Sequence, residues 1–450
     1  VSFPCRRAVR SADGSKEIAM VEPRARRLSC AALPPLLTLL VCLTSGCHVP
    51  SRLAFSPDGT KAVYASNGTD AVVLIDDKGK ILRPLGEGAG AAAWSPDGKV
   101  VYYTVRAPEG TKPVKLDLAP LGNRKLGGTI PDEPPPKDPD APPPEVDTIY
   151  RYDFAGEPQP LVTLPGPVFR LVLSPDGKNL LSFVTTDLRN ADHPDDKANA
   201  TFAVVVGTGS RPGAPLTKVV AAVPGVGVGG AWLDAATVVV ADSTDSFGEL
   251  GVIRGVGVGG DGWVVAGNEL AVVALGAGVH IDRAGDTLLV ATTPVSLPIA
   301  RAENMPEPRH SLFAMKPDGT LKPLVHSIGP LFTVSPDGKR VLIETIDDEP
   351  GGAPRRMLAV LDLATGQAKR MLDVSGFANE LPVYPAWVGN EAIAFVAAPD
   401  TGVAADAPGG KRIVYELVIY RLDGDRLVHS RTLSADWKPA MKPGKRERDD

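Results

Sequence analysis

Short apolar runs separated by four-residue polar corners recur along the chain. Leu53 to Ser66 reads LAFSPDGTKAVYAS, an apolar run, Ser-Pro-Asp-Gly, and a second run with alternating side chains. The same plan returns as AAWSPDGKVVYYTV at 92–105, RLVLSPDGKNLLSFV at 170–184 and LFTVSPDGKRVLIET at 331–345. Runs this short, with period two and turn residues at their ends, predict strands. In each corner proline sets φ for the second turn position and aspartate bonds the local backbone. Glycine supplies the positive φ that closes a type I turn with a bulge. Each corner is therefore predicted to be a hairpin, and Asp58, Gly59, Asp97, Gly98, Asp176, Gly177, Asp337 and Gly338 are assigned to turn structure, not to acid or ligand chemistry.

Each hairpin is followed by a third run, a second turn and a fourth run. AVVLIDDKGKILRPL (71–85), TIYRYDFAGEPQPLVTL (148–164) and MLAVLDLATGQAKRML (357–372) supply these in the first, second and sixth units. Register exposes weaker copies in GAWLDAATVVVAD (230–242), GVHIDRAGDTLLVA (278–291) and PAWVGNEAIAFVA (385–397). The fifth unit closes with 311–325 and the seventh with 413–433. Residues 51–434, less an insertion at 106–146, divide into seven units of 49 residues, close to the roughly 40–50 of a propeller blade. The expectation is an all-β chain, a β-propeller of seven four-stranded blades. Eight is the alternative, because the wide spacing from Asp97 to Asp176 leaves room for a decayed unit. A four-stranded sheet cannot bury both faces alone, so radial stacking is the physical reason for the repeat. Trp94, Trp232 and Trp387 hold matching first-strand positions and are expected to pack between blades.

These residues resemble the TolB-type propeller repeat, whose hallmark is a Trp/Phe-Ser-Pro-Asp-Gly-Lys turn between strands. The resemblance covers nearly all of 51–434: four units keep the hallmark and three rest on register. TolB carries an additional α/β domain and the related peptidase propellers carry a hydrolase domain. With strand one starting soon after Cys47 and 16 residues following Ser434, neither is expected here.

Charge and cysteines add an address. The formal net charge is −5, yet residues 1–46 hold seven Lys/Arg against three Asp/Glu, leaving an acidic body. That argues against nucleic acid as a partner. All four cysteines, Cys5, Cys30, Cys42 and Cys47, fall in the first 47 residues. After Arg24, Arg26 and Arg27 comes LSCAALPPLLTLLVCL, too short and too broken by proline for a membrane span, and read as a secretory signal. LTSGC, Leu43 to Cys47, resembles the lipobox of bacterial lipoproteins, with Thr44 where leucine is usual. The resemblance implies cleavage and a lipid anchor on Cys47, and His48 in the next position implies the outer membrane. The expected organisation is a leader over 1–46, of which 1–19 precede the better start at Met20, then a propeller over 47–434 and a charged, disordered tail over 435–450.

Motifs for chemistry are sparse. GVGVGG at 225–230 and 255–260 satisfies G-x-G-x-x-G but leads into strand-like sequence where a helix N-terminus is needed, so both copies are read as flexible connectors. The sequence contains no H-E-x-x-H, nucleophile elbow or Walker loop. The six histidines, His48, His193, His280, His310, His326 and His429, are scattered, with only His280 on an expected first strand. His193 lies beside Asp192, Asp195 and Asp196 in an acidic loop that is read as solvated. No catalytic residue, metal site or cofactor is assigned.

The second-to-third loops lengthen at 106–146, 187–199, 293–309, 347–355 and 398–411, all toward one face, while the Ser-Pro-Asp-Gly side stays tight. The longest contains PDEPPPKDPDAPPPE (131–145), too proline-rich to pack. One elaborated face on a rigid base fits a binding surface. The expected function is a protein-binding or assembly scaffold in the cell envelope, its partner an envelope protein or polysaccharide. The alternative is a carbohydrate-active lyase, another propeller enzyme or a small-ligand sensor using the central channel.

Overall fold

The computed structural model describes residues 53–65, 71–88, 90–118, 146–189, 197–209, 217–224, 229–243, 250–258, 264–274, 279–292, 310–316, 319–347, 355–374, 385–397, 416–424 and 426–434. Cys47, the leader, the proline-rich run at 131–145, His48, His193 and the tail lie outside them. The described residues form strands and turns and no helix.

Every sheet is an antiparallel meander. The first holds β1 (Leu53–Phe55), β2 (Lys61–Ala65), β3 (Ala71–Asp76) and β4 (Ile81–Glu87). The second holds β5 (Ala92–Trp94), β6 (Val101–Arg106), β7 (Asp147–Tyr152) and β8 (Gln159–Leu164). The third holds β9 (Val168–Leu173), β10 (Asn179–Arg189), β11 (Lys197–Gly207) and β12 (Thr217–Pro224). The fourth holds β13 (Gly230–Trp232), β14 (Thr237–Ser243), β15 (Leu250–Val258) and β16 (Val264–Ala274). A seven-stranded sheet follows, with β17 (His280–Ala284), β18 (Thr287–Thr292), β19 (His310–Met315), β20 (Leu321–Val334), β21 (Arg340–Asp347), β22 (Arg355–Asp362) and β23 (Gln367–Asp373). The last holds β24 (Ala386–Val388), β25 (Ala392–Ala397), β26 (Glu416–Asp423) and β27 (Arg426–Ser434).

The first strands meet one another in a closed circuit. β1 touches β5, β5 touches β9, and the contacts continue through β13, β17, β20 and β24 back to β1. This is the arrangement of a β-propeller, with first strands around a central channel and fourth strands at the rim. The core lies between sheets. Leu53, Tyr64 and Ile75 pack against Ala394, Leu417 and Ile419 across the junction of first and last sheets. Phe202 and Leu180 of the third sheet pack with Ile149 and Leu164 of the second, and Phe183 with Trp232 and Val240 of the fourth. Burying each such side chain contributes roughly 1.5–3 kcal/mol, which no sheet could obtain alone.

The three tryptophans do pack between neighbouring sheets, and by one rule. Each donates its indole N–H to a carbonyl on the preceding first strand: Trp94 to Ala54, Trp232 to Val172 and Trp387 to Thr333, each at 3.0 Å.

Four expectations need correction. The sheets expected as the fifth and sixth are continuous, because β20 pairs β19 through its first half and β21 at Ile328 and again at Phe332–Val334, with an irregularity of register between the two. Gly255–Val258 is not a connector but the end of β15, where glycine is accommodated by shifts of register against β16. The lengthening at 187–199 is strand at both ends, since β10 and β11 stay paired from Asn179↔Gly207 to Arg189↔Lys197, and 190–196 lie outside the described residues.

The fourth correction concerns the insertion at 106–146, expected as loop, whose 107–118 part packs; the proline-rich run at 131–145, expected not to pack, lies outside the described residues. Val114 donates its N–H to Thr163 O of β8 at 2.9 Å, and Asp117 bridges in parallel to Lys218 of β12. Leu116 is buried in the core shared by the second and third sheets, with Val114 and Leu118 against it. Residues 107–118 thus form a strap across the outer strands of two sheets, satisfying edge groups that would otherwise face solvent.

Candidate functional site: the channel and its turn face

All four Ser-Pro-Asp-Gly corners share one geometry. In the first, Ser56 N–H donates to Lys61 O and Gly59 N–H to Ser56 O, both at 2.8 Å, with Gly59 at φ +71°. Gly98, Gly177 and Gly338 take φ of +67°, +72° and +69°. The aspartate accepts from the serine hydroxyl at 2.5 Å for Asp58, 2.7 Å for Asp97 and Asp176, and 2.6 Å for Asp337. The same serine oxygen accepts the N–H five residues on, at 3.0 Å from Lys61 and 2.9 Å from Val100, Asn179 and Arg340.

Serine is the residue whose part the sequence reading overlooked: it relays between carboxylate and strand, which alanine could not do. The Ser56 hydroxyl, then the Thr60 N–H, hold the Asp58 carboxyl below its ordinary value against burial, and the Ser95 hydroxyl does so for Asp97. At Asp176 and Asp337 burial pulls upward, and the serine hydroxyl and following N–H outweigh it.

Between these corners the channel opens into a space of 430 Å³ whose walls come from five first strands and their turns. Phe55, Trp94, Leu171 and Val334 give it apolar patches beside polar wall of similar extent, and Pro96, Ser174 and Pro175 line it at the turns. Asp282 is the one ionisable side chain among its walls.

Beneath it lies a cluster that the sequence reading did not single out. Arg170 of β9 reaches past the fourth sheet to β17, donating from Nη2 to Ile281 O at 2.9 Å, with Nη1 3.5 Å from His280 Nδ1. Its Nη2 stands 3.7 Å from Asp282 Oδ2, the two side chains being 17% and 30% exposed. The guanidinium also lies 5.8 Å from the Phe183 ring centroid. Asp282 Oδ1 accepts the Arg283 N–H at 2.8 Å, and His280 meets Phe332 edge-on at 4.6 Å. Burial pushes the Asp282 carboxyl up and the Arg170 guanidinium down, and their mutual attraction opposes both. The available signal was positional: Arg170, His280, Asp282 and Arg283 are the ionisable residues on β1, β5, β9, β13, β17, β24 and the Phe332–Val334 end of β20.

The other described histidines are elsewhere, His326 being on the half of β20 that pairs β19. His310 is on β19, His326 accepts or donates with Ser311 Oγ at 3.0 Å, and His429 contacts Thr432 at the rim. Among the described residues no group of three His, Cys, Asp or Glu side chains is placed to hold a metal ion, and no helix is long and apolar enough to cross a membrane.

No protein-family model matches the chain, and no curated protein sequence matches it. Among solved structures it is similar to an oligogalacturonate lyase in complex with manganese, at 14% identity over 81% of this chain and 87% of that one, TM-score 0.47. It is similar to a puromycin hydrolase at 14% identity over 87% of this chain and 56% of that one, TM-score 0.47. It is also similar to TolB from Acinetobacter baumannii, at 14% identity over 70% of this chain and 61% of that one, TM-score 0.36.

Proposed function

We propose that this chain is a lipid-anchored protein of the cell envelope whose seven-bladed propeller is a binding scaffold for an envelope protein or polysaccharide. The count of seven comes from letting β20 serve twice, as fourth strand of one blade and first strand of the next, which makes every blade four-stranded. Anchoring through Cys47 in the outer membrane rests on the basic segment, the apolar run and Leu43 to Cys47. The corner aspartates are structural on this reading, since their oxygens are engaged by the serine hydroxyl and the local N–H.

The observation that carries the scaffold reading is the strap. It roots one end of the longest insertion against two sheets, and Ala107 N–H donates to Val146 O at 2.8 Å at the base of the other. The 119–145 sequence, with its proline-rich run, therefore springs from a rigid base, and a preorganised base lowers the entropy lost on docking. The test is co-purification from detergent extracts with three forms: the full chain, a deletion of 120–144, and a shortened Asp77–Lys80 turn on the opposite face. Loss of a stoichiometric partner by the 120–144 deletion alone is expected. Equal retention by all three would end the reading. The deletion stops short of the strap because removing Leu116 from the core would itself cost about 2–5 kcal/mol. The alternative, a channel enzyme or sensor, draws its support from the Arg170, His280 and Asp282 cluster.

A further inference from the structure

We infer that the turn-face mouth of the channel is a binding site for a small organic cation with an apolar body, an alkyl- or arylammonium, held by the Asp282 carboxylate. The inference is independent of the scaffold reading, which concerns the opposite face, so either can fail alone.

Size is the first argument. The space of 430 Å³ falls within the roughly 300–1,000 Å³ of small-molecule sites, which are mostly apolar with a few placed polar groups. Its walls are mixed, about as polar as apolar, with Phe55, Trp94, Leu171 and Val334 as apolar patches and one carboxylate among them. The walls are also preorganised. Trp94 is fixed by its indole bond to Ala54 O and by stacking on Phe154 at 6.0 Å, so its ring does not need to be ordered when a ligand arrives.

The sign of the charge is the second argument. Arg170 and Asp282 are near neighbours, but only the acid lines the space. Arg170 directs its donors to Ile281 O and toward His280, and its face to Phe183. At 3.7 Å from Asp282 Oδ2 it is beyond hydrogen-bonding distance. Asp282 holds one bond from the Arg283 N–H on Oδ1, and Oδ2 retains lone pairs for a donor. An ammonium entering from the turn face would supply that donor in a partly desolvated setting, where charge-assisted bonds are strongest. Its hydrocarbon portion would cover Trp94 and Phe55, and Trp adds cation–π attraction. A carboxylate ligand would meet Asp282 before Arg170 and be repelled.

The experiment uses the purified mature chain and three probes of similar shape: 2-phenylethylammonium, 2-phenylethanol and 3-phenylpropionate. Binding is read by titration calorimetry and by the shift in melting temperature. The ammonium is expected to bind on the order of tenfold or more tightly than the alcohol, as one charge-assisted bond implies, with the carboxylate weakest. Asp282→Asn should bring the ammonium to the level of the alcohol and leave the alcohol unchanged. Ala54→Leu fills the space without touching Asp282 and should weaken both, so the proposal stays testable if Asp282→Asn does not fold. Equal binding of ammonium and alcohol, preference for the carboxylate, undiminished ammonium binding in Asp282→Asn or Ala54→Leu, or no ammonium binding at millimolar concentration would each overturn it.

Discussion

Trp232 donates its indole N–H to the carbonyl of Val172 at 3.0 Å, from the first strand of one sheet to the first strand of the sheet before it. Trp94 and Ala54, and Trp387 and Thr333, repeat the relation. Packing and hydrogen bonding are thus joined in one side chain. Trp232 is 2% exposed, so Trp232→Phe, which leaves the Val172 carbonyl without this donor, is expected to cost about 1–2 kcal/mol. Trp232→Ala should cost about 3–5 kcal/mol. Trp94, which also faces the channel, should cost less at either step. Urea unfolding with unchanged m-values checks this order.

The corner glycines should not be equivalent, although all four sit at positive φ. A Cβ on Gly338 would lie 2.7 Å from Gly285 N and one on Gly59 would lie 2.8 Å from Gly389 N, whereas Gly177 has nothing within 4 Å. Gly177→Ala carries conformational strain alone, about 1 kcal/mol. Gly338→Ala and Gly59→Ala add a clash with neighbouring backbone and should cost about 1–3 kcal/mol more. Gly59→Ala should act at the junction of first and last sheets. Equal melting temperatures for the three variants would mean that the corners do not pack against one another.

Acid sensitivity follows from the corner aspartates. Their folded-state pKa values are lowered from 3.8. Stability from such a group is present above the unfolded value and is lost as pH falls through the folded one. Stability should therefore decline below about pH 4. Asp337→Asn, whose amide oxygen can still accept from Ser335 and Lys339, should change little at neutral pH and flatten the acid limb. A melting-temperature profile across that range is the measurement, and an unchanged acid limb would contradict the assignment.

Anchoring gives the fourth expectation. Cys47→Ala should abolish acylation and move the protein from the detergent phase to a soluble or unprocessed form, because the lipid supplies the membrane affinity. Mass spectrometry of the mature N-terminus decides it, and an unacylated N-terminus at another position would contradict the lipobox reading.

What could be read from the chain alone was whatever depends on neighbours in sequence. A Ser-Pro-Asp-Gly corner is specified by its own residues, and a strand by alternation over five or six positions, so hairpins, their repetition and the matching tryptophans are visible without coordinates. Even the all-β class follows, because a repeated four-strand unit has few ways to bury two faces. The same local logic misleads at Gly255–Val258, where glycine-rich sequence is held as strand only because β14 pairs along its other edge.

Tertiary structure decided what depends on residues far apart. Val114, Leu116 and Leu118 alternate with Lys115 and Asp117, but nothing local says what they pack against: the outer strands of two sheets supply that surface, through Thr163 and Lys218. Arg170 and Asp282 are separated by more than a hundred residues and lie in different repeats, one in a unit with the full corner motif and one in a degenerate unit. Closing the ring sets them 3.7 Å apart. Local propensity chooses the strands; the channel, and the carboxylate at its mouth, exist only once the circle is closed.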